Sequence, residues 1–150
     1  MVDLIPSAES VMKIMTDTGA YRKGHFVYPN GKHASHYFQM PLAFRYYDNA
    51  RILSVGLSRM FRLEKAISSR LPKVSVISPS PGGIMVAFGV REALGAQQIY
   101  WAEMEEGKRQ FRQYMSDYEI YPAIIVDDIN RSGKAIQETI DLVKELGTEV

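Results

Sequence analysis

The sequence predicts an α/β fold: a mostly parallel, twisted sheet flanked by helices, with a small N-terminal hood. Three observations carry this. Short apolar runs, VSVI at 74–77, IYWA at 99–102 and AIIV at 123–126, have the length and the β-branched or aromatic content of buried strands. Segments with apolar residues at helical spacing precede, separate or follow them, as βαβ units require. The first and last runs end in polar, turn-forming stretches, SPSPGG at 78–83 and DDINRSGK at 127–134. Open α/β sheets bind ligands at such strand ends.

The elements follow in order. Ser7 is placed to cap a helix whose Val11, Met12, Ile14 and Met15 share a face, stopped by Thr18 and Gly19. Residues 21–44 hold β-prone HFVY at 25–28 and HYFQ at 36–39 around Gly24, Pro29, Asn30 and Gly31, the pattern of an antiparallel hairpin or hood. Asp48 reads as the N-cap of a long helix through Ile52, Leu53, Leu57, Met60 and Phe61, closing near Pro72. After the strand at 74–77, residues 84–94 read as a helix ended by Gly95. The 99–102 strand leads into a polar stretch, 103–118, that reads as a mobile excursion. The clearest buried strand, 123–126, is followed by a polar turn and a helix with Ile136, Ile140, Val143 and Leu146 or Gly147 along one side. Residues 148–150 then begin like another strand. A βαβ unit needs its returning strand, so the C-terminal strands are expected beyond Val150 and the chain reads as a fragment or a shortened variant.

Length and composition bound the function. One hundred and fifty residues fit one domain, with helix and hood over about 1–45 and the core over 46–150. A hydrophobic content of 46% excludes wholesale disorder. Eighteen Lys and Arg against 17 Asp and Glu leave a net charge of +1, so no global field recruits nucleic acid or an anionic membrane. The absence of cysteine excludes disulfides, thiolate metal sites and cysteine nucleophiles. The first residues lack a basic stretch followed by an apolar one, and no apolar run approaches the roughly 20 residues that cross a bilayer. The expectation is a soluble, cytoplasmic protein.

The chemistry concentrates at 123–136. A hydrophobic strand delivers Asp127 and Asp128 to its C-terminal end, and Ser132, Gly133, Lys134 and Ala135 lead straight into a helix N-terminus. Free amides and the positive end of the helix dipole favour a phosphate there. Carboxylates beside an anion site fit a ligand that also brings hydroxyls or a metal, as a ribose 5-phosphate with a diphosphate and Mg²⁺ does. The nucleotide-binding P-loop is excluded, because Asp128 stands where it needs glycine and Ala135 where it needs Ser or Thr.

Residues 123–135 resemble the phosphoribosyl diphosphate (PRPP) motif of type I phosphoribosyltransferases: four apolar residues, two acids, an apolar residue and a small-residue phosphate loop. Three further segments, in order along the chain, are similar to orotate phosphoribosyltransferases. GHFVYPNGKHASHYFQ at 24–39 resembles their hood, SPSPGGI at 78–84 their pyrophosphate-binding loop, and EMEEGKRQFR at 103–112 the loop that closes over the reacting centre.

The resemblance implies a reaction in which Mg²⁺-PRPP exchanges pyrophosphate for a nucleobase nitrogen, through a transition state with oxocarbenium character. It implies roles by position. Asp127 and Asp128 would hold the ribose diol, orient the water shell of Mg²⁺ without binding it directly, and favour positive charge on the sugar. Asn130, Arg131, Ser132, Gly133, Lys134 and Ala135 would cradle the 5′-phosphate. Ser80, Pro81, Gly82 and Gly83 would bind the departing pyrophosphate, and Lys108, Arg109 and Arg112 would neutralise it, Lys108 as a catalytic residue. Tyr37, Phe38 and Arg131 would meet the base. A homodimer is implied as well. Some positions depart from the pattern: Arg131 and Ser132 replace two threonines, Lys134 a glycine, Ala135 a Ser or Thr, Pro29 a lysine and Met104 an arginine. Transfer to orotate is the leading expectation of the resemblance, and these departures motivate two alternatives. The alternatives are transfer to a different nucleobase and a non-catalytic PRPP-binding regulatory module.

Taken singly, these features have plainer readings. Two adjacent acids at a strand end fit a solvated turn as well as a ligand site. PSPGG at 79–83 alone fits a strand-to-helix connection, and the basic cluster at 108–112 a solvated face. His25, His33 and His36 read as surface residues of the hood rather than a metal site, and Trp101 as core or interface.

Overall fold

The computed structural model describes residues 5–115 and 118–150. Helix α1, Ala8–Asp17, starts where expected: Ser7 is its N-cap and accepts from the Ser10 amide at 3.1 Å. Thr18 closes it, and Gly19, at φ 72°, turns the chain into the hood. There β1, Tyr21–Val27, and β2, His33–Phe38, pair antiparallel as a separate two-stranded sheet, Tyr21 opposite Phe38 and Val27 opposite His33. Stacking of Phe26 on Tyr37, with centroids 5.3 Å apart, supports the pairing across the strands.

After the short helix α2, Pro41–Phe44, comes α3, Tyr47–Leu63. Two expectations are corrected here. The N-cap is Tyr46, extended at φ −96° and ψ 124°, not Asp48, which lies in the first turn where its charge still suits the helix dipole. The helix also stops well short of Pro72, because Glu64 is extended at ψ 111°; a separate turn of helix, α4 at Lys65–Ser68, follows.

The main sheet runs in the order β5-β4-β3-β6. Its centre is β3, Ser75–Ser78, parallel to β4, Gln98–Glu105, on one side and to β6, Ala123–Ile125, on the other. Every residue of β3 is buried, as a central parallel strand covered on both faces must be. Helix α5, Ile84–Leu94, ends at Gly95 in the left-handed conformation, φ 70°. Together with α1 and α3 it encloses Leu53, Val74, Val76, Val90 and Leu94. Ile77, Met115, Ala123 and Val143 form a second cluster, to which helix α6, Lys134–Glu145, contributes Val143.

The first part of the stretch expected to be a mobile excursion is a β-hairpin. β4 continues to Glu105 and returns as β5, Lys108–Phe111, pairing antiparallel through a two-residue turn in which Glu106 and Gly107 both have positive φ, 49° and 78°. Residues 116 and 117 of that stretch lie outside the described residues. Trp101 is half-buried on β4, its indole donating to Glu103 at 3.1 Å. At the far edge the Ala123 amide donates to the Glu149 carbonyl at 2.8 Å, while residues 148–150 are not assigned to a strand. Among the described residues no helix is long and apolar enough to cross a membrane.

Candidate active site

Strand pairing carries Asp127 and Asp128 to the end of the sheet: Val126 still donates to the Ile77 carbonyl, at 2.9 Å, and the acids come next. There they meet the loop that follows β3. Ser80 Oγ donates to Asp127 Oδ1 at 3.1 Å, and the Asp128 amide donates to the same oxygen at 3.0 Å. The approach is close enough to demand glycine. A Cβ on Gly83 would lie 2.5 Å from Ser78 Oγ and 2.7 Å from Asp127 Oδ1, and one on Gly82 would lie 3.2 Å from both Asp128 carboxylate oxygens. The two segments singled out in the sequence, separated by more than 40 residues, thus form one rim.

Behind the acids lies an apolar pocket of about 270 Å³, lined by Met40, Phe44, Leu53, Leu57 and Val86 together with Asp127 and Asp128 themselves. Half-burial is the main reason the Asp127 carboxyl is pushed up from 3.8 to about 6. The Asp128 side chain raises it further, while the hydrogen bonds from the Asp128 amide and the Ser80 hydroxyl pull it back. Such a pair is relieved by ligands that give hydroxyl donors or positive charge.

Next to the acids, the loop into α6 is set by Gly133, at φ 74°. Asn130 Oδ1 accepts from the Gly133 amide at 2.8 Å and Ser132 Oγ accepts from the Lys134 amide at 3.4 Å. The amides of Ala135 and Ile136, in the first turn, have no intrahelical acceptor. Lys134 reaches forward to Glu138, 3.6 Å away. On the β3 side Pro81, without an amide hydrogen, opens a 3-10 turn, Pro81–Gly83. The Ser80 amide is turned to Ser78 Oγ and the Gly83 amide to Ser80, while Gly82 is exposed.

Between this loop and the hood is a cleft of about 620 Å³. Tyr37, Phe38 and Arg131, the three residues expected to meet a base, all line it, and the Arg131 guanidinium lies over the Tyr28 ring at 4.7 Å. Tyr28 and Ile129 also line it and were not anticipated. The position of Tyr28 at the start of the hood turn, directly after β1, was the available signal. Beyond the sheet edge the basic cluster divides. Lys108 is exposed, Arg112 lies 3.8 Å from Glu103, and Arg109 turns inward to bond Glu138 Oε2 at 3.0 Å and the Pro79 carbonyl. The three histidines stay on the exposed hood: His25 and His33 share a ring-nitrogen contact at 2.5 Å, and His36 bonds the Tyr21 hydroxyl at 2.7 Å.

This geometry can be set beside proteins of known kind. The orotate phosphoribosyltransferase of Desulforamulus reducens is 32% identical over 142 residues, covering 95% of this chain and 70% of that protein. The chain belongs to the orotate phosphoribosyltransferase family. The Thermoanaerobacter sp. (strain X514) member of the family is also 32% identical, over 92% of this chain and 68% of its own length. No protein-family model matches the chain. Among solved structures, the Aeropyrum pernix orotate phosphoribosyltransferase superposes with a TM-score of 0.60 at 19% identity, over 93% of this chain and 76% of that one. The Leishmania donovani UMP synthase gives 0.66 at 18% identity, over 97% of this chain and 30% of that one. The α/β architecture with its N-terminal hairpin is thus that of orotate phosphoribosyltransferases, and the chain is of the glycosyltransferase class.

Proposed function

We propose that the protein transfers the 5-phosphoribosyl group of Mg²⁺-PRPP to orotate and releases pyrophosphate. The observation that carries the proposal is the convergence of Gly82 and Gly83 on the Asp127–Asp128 pair, beside the N-terminus of α6. That rim offers acceptors for a sugar diol between two loops suited to anions, which is the charge order of PRPP itself.

Asp127 and Asp128 hold the neighbouring ribose hydroxyls, and their negative charge stabilises the positive charge that develops on the sugar as the bond to pyrophosphate breaks. Asn130 to Ala135 fix the 5′-phosphate. Ser80 to Gly83 receive the pyrophosphate, with Lys108 and Arg112 closing from the hairpin. The base enters by the hood cleft, between Tyr37, Phe38 and Arg131, and its nitrogen forms the new bond to the sugar. Two carboxylates suit the water shell of a metal brought in by the substrate. Asp127 and Asp128 would face the water shell of a Mg²⁺ carried by the diphosphate, which would supply charge neutralisation to the leaving group. The protein acts in the cytoplasm as a homodimer on this reading.

Supplied with orotate, PRPP and Mg²⁺, the folded protein is expected to release pyrophosphate as orotate disappears; no loss of orotate above background removes the proposal. Arg131 in the base cleft favours testing a second reading, transfer to a different base. A panel of pyrimidines and purines separates the two by which acceptor is consumed.

A further inference from the structure

Resting on the phosphoribosyltransferase reading, we propose that Arg109 is a positioning residue: it clasps the 79–83 loop to α6 and so sets the pyrophosphate end of the site, without touching the pyrophosphate. The sequence pattern groups Arg109 with Lys108 and Arg112, but its surroundings differ. Its side chain is 11% exposed, against 59% for Arg112. Its Nε donates to Glu138 Oε2 at 3.0 Å and its Nη1 to the carbonyl of Pro79. One guanidinium therefore ties together β5, α6 and the buried start of the loop after β3.

The loop needs this tie. Its internal bonds satisfy the Ser80 carbonyl, from Ser78 Oγ at 2.6 Å and from the Gly83 amide at 3.2 Å, and Ser80 Oγ goes to Asp127. The carbonyl of buried Pro79 takes its donor from Arg109. Only a planar fork can bond a carboxylate and a carbonyl at once in fixed directions; an ammonium on a flexible stem holds neither direction. Glu138 balances the Arg109 charge and lies 3.6 Å from Lys134 Nζ, so the same carboxylate couples the clasp to the helix that carries the phosphate loop. A cation so paired and enclosed contributes geometry to the leaving-group site, and the exposed Lys108 is left to contribute charge.

Binding of Mg²⁺-PRPP and of ribose 5-phosphate with Mg²⁺, each measured by calorimetry, tests this in the whole chain. The ratio of the two affinities isolates the pyrophosphate end, because any change transmitted through Lys134 to the 5′-phosphate enters both. Glu138→Gln and Arg109→Gln should each lower the ratio about tenfold. The double variant should fall no further, and Arg109→Lys should not restore the ratio. A direct contact predicts the opposite sign: Glu138→Gln would free the guanidinium and leave the ratio unchanged or raised, and Arg109→Lys would keep most of it. Either result overturns the clasp alone. Retained affinity for ribose 5-phosphate reports an intact fold, and Glu138→Gln decides the matter should Arg109→Gln not fold. A wild-type protein that binds neither ligand overturns the phosphoribosyltransferase reading, and the clasp's role with it.

Discussion

Burial against the apolar pocket, with Asp128 beside it, raises the Asp127 carboxyl from 3.8 to about 6, and linkage turns this into a statement about stability. Between those two values the folded protein holds a proton that the unfolded chain has released. Stability contributed by that proton is fully present below about pH 4 and is lost as the pH rises through about 6. Asp127→Asn removes the titrating group while keeping the shape and an acceptor for Ser80. The variant should therefore gain stability relative to the wild type as pH rises from 4 to 7, with little further change above. Urea denaturation of both proteins across that range measures it, and parallel stability curves would contradict the assignment. The same change should weaken ligand binding, the exchange of stability for activity expected where a charge is held for function.

At the scale of elements, the β4–β5 hairpin is the instructive case. Its turn places Glu106 and Gly107 both at positive φ, the type I′ geometry that matches the twist of paired strands. Glycine adopts it freely, but glutamate does so at a cost of about 1 kcal/mol. Glu106→Asn should recover much of that cost and raise the melting temperature by about 2–4 °C; an unchanged or lowered value in thermal denaturation would argue against a I′ turn. The same glutamate explains why the hairpin was not legible: the strong signal is Asn-Gly or Asp-Gly, and β5 reads KRQF, with a single apolar residue. By contrast α1 and α5 were legible to within a residue, because Ser7 and Gly95 are local chemical signals for a start and a stop. Asp48 shows the limit of such signals, since the backbone became helical one residue before it and left it inside the first turn. In the site, the acid pair and the glycine loop stood out only as parts of an ordered set of segments, since each alone fits a plain turn or connection. The partners of Arg109 did not, because Glu138 and Pro79 lie 29 and 30 residues away in the chain and only the tertiary fold brings them near.

Across the whole molecule, the sheet order explains how one small site draws on distant segments. With β3 central and β6 beside it, their C-terminal loops are neighbours by construction, and the parallel direction puts both at the same end. The hood approaches that end from outside the sheet through the cleft at Arg131, and the β4–β5 edge reaches it through Arg109. A ligand bridging these loops binds the folded chain and not the unfolded one, so it must stabilise the whole molecule by mass action. At a concentration one hundred times its dissociation constant, Mg²⁺-PRPP should add about 2.7 kcal/mol, a rise in melting temperature of about 5–10 °C. Withholding Mg²⁺ should shrink the shift, since the two carboxylates then face an uncompensated diphosphate. Replacing both acids, Asp127→Asn with Asp128→Asn, should abolish most of the shift without lowering the melting temperature of the ligand-free protein, because the substitutions remove repulsion from the rim. A double variant whose shift equals the wild type's would place the ligand elsewhere, away from the ends of β3 and β6.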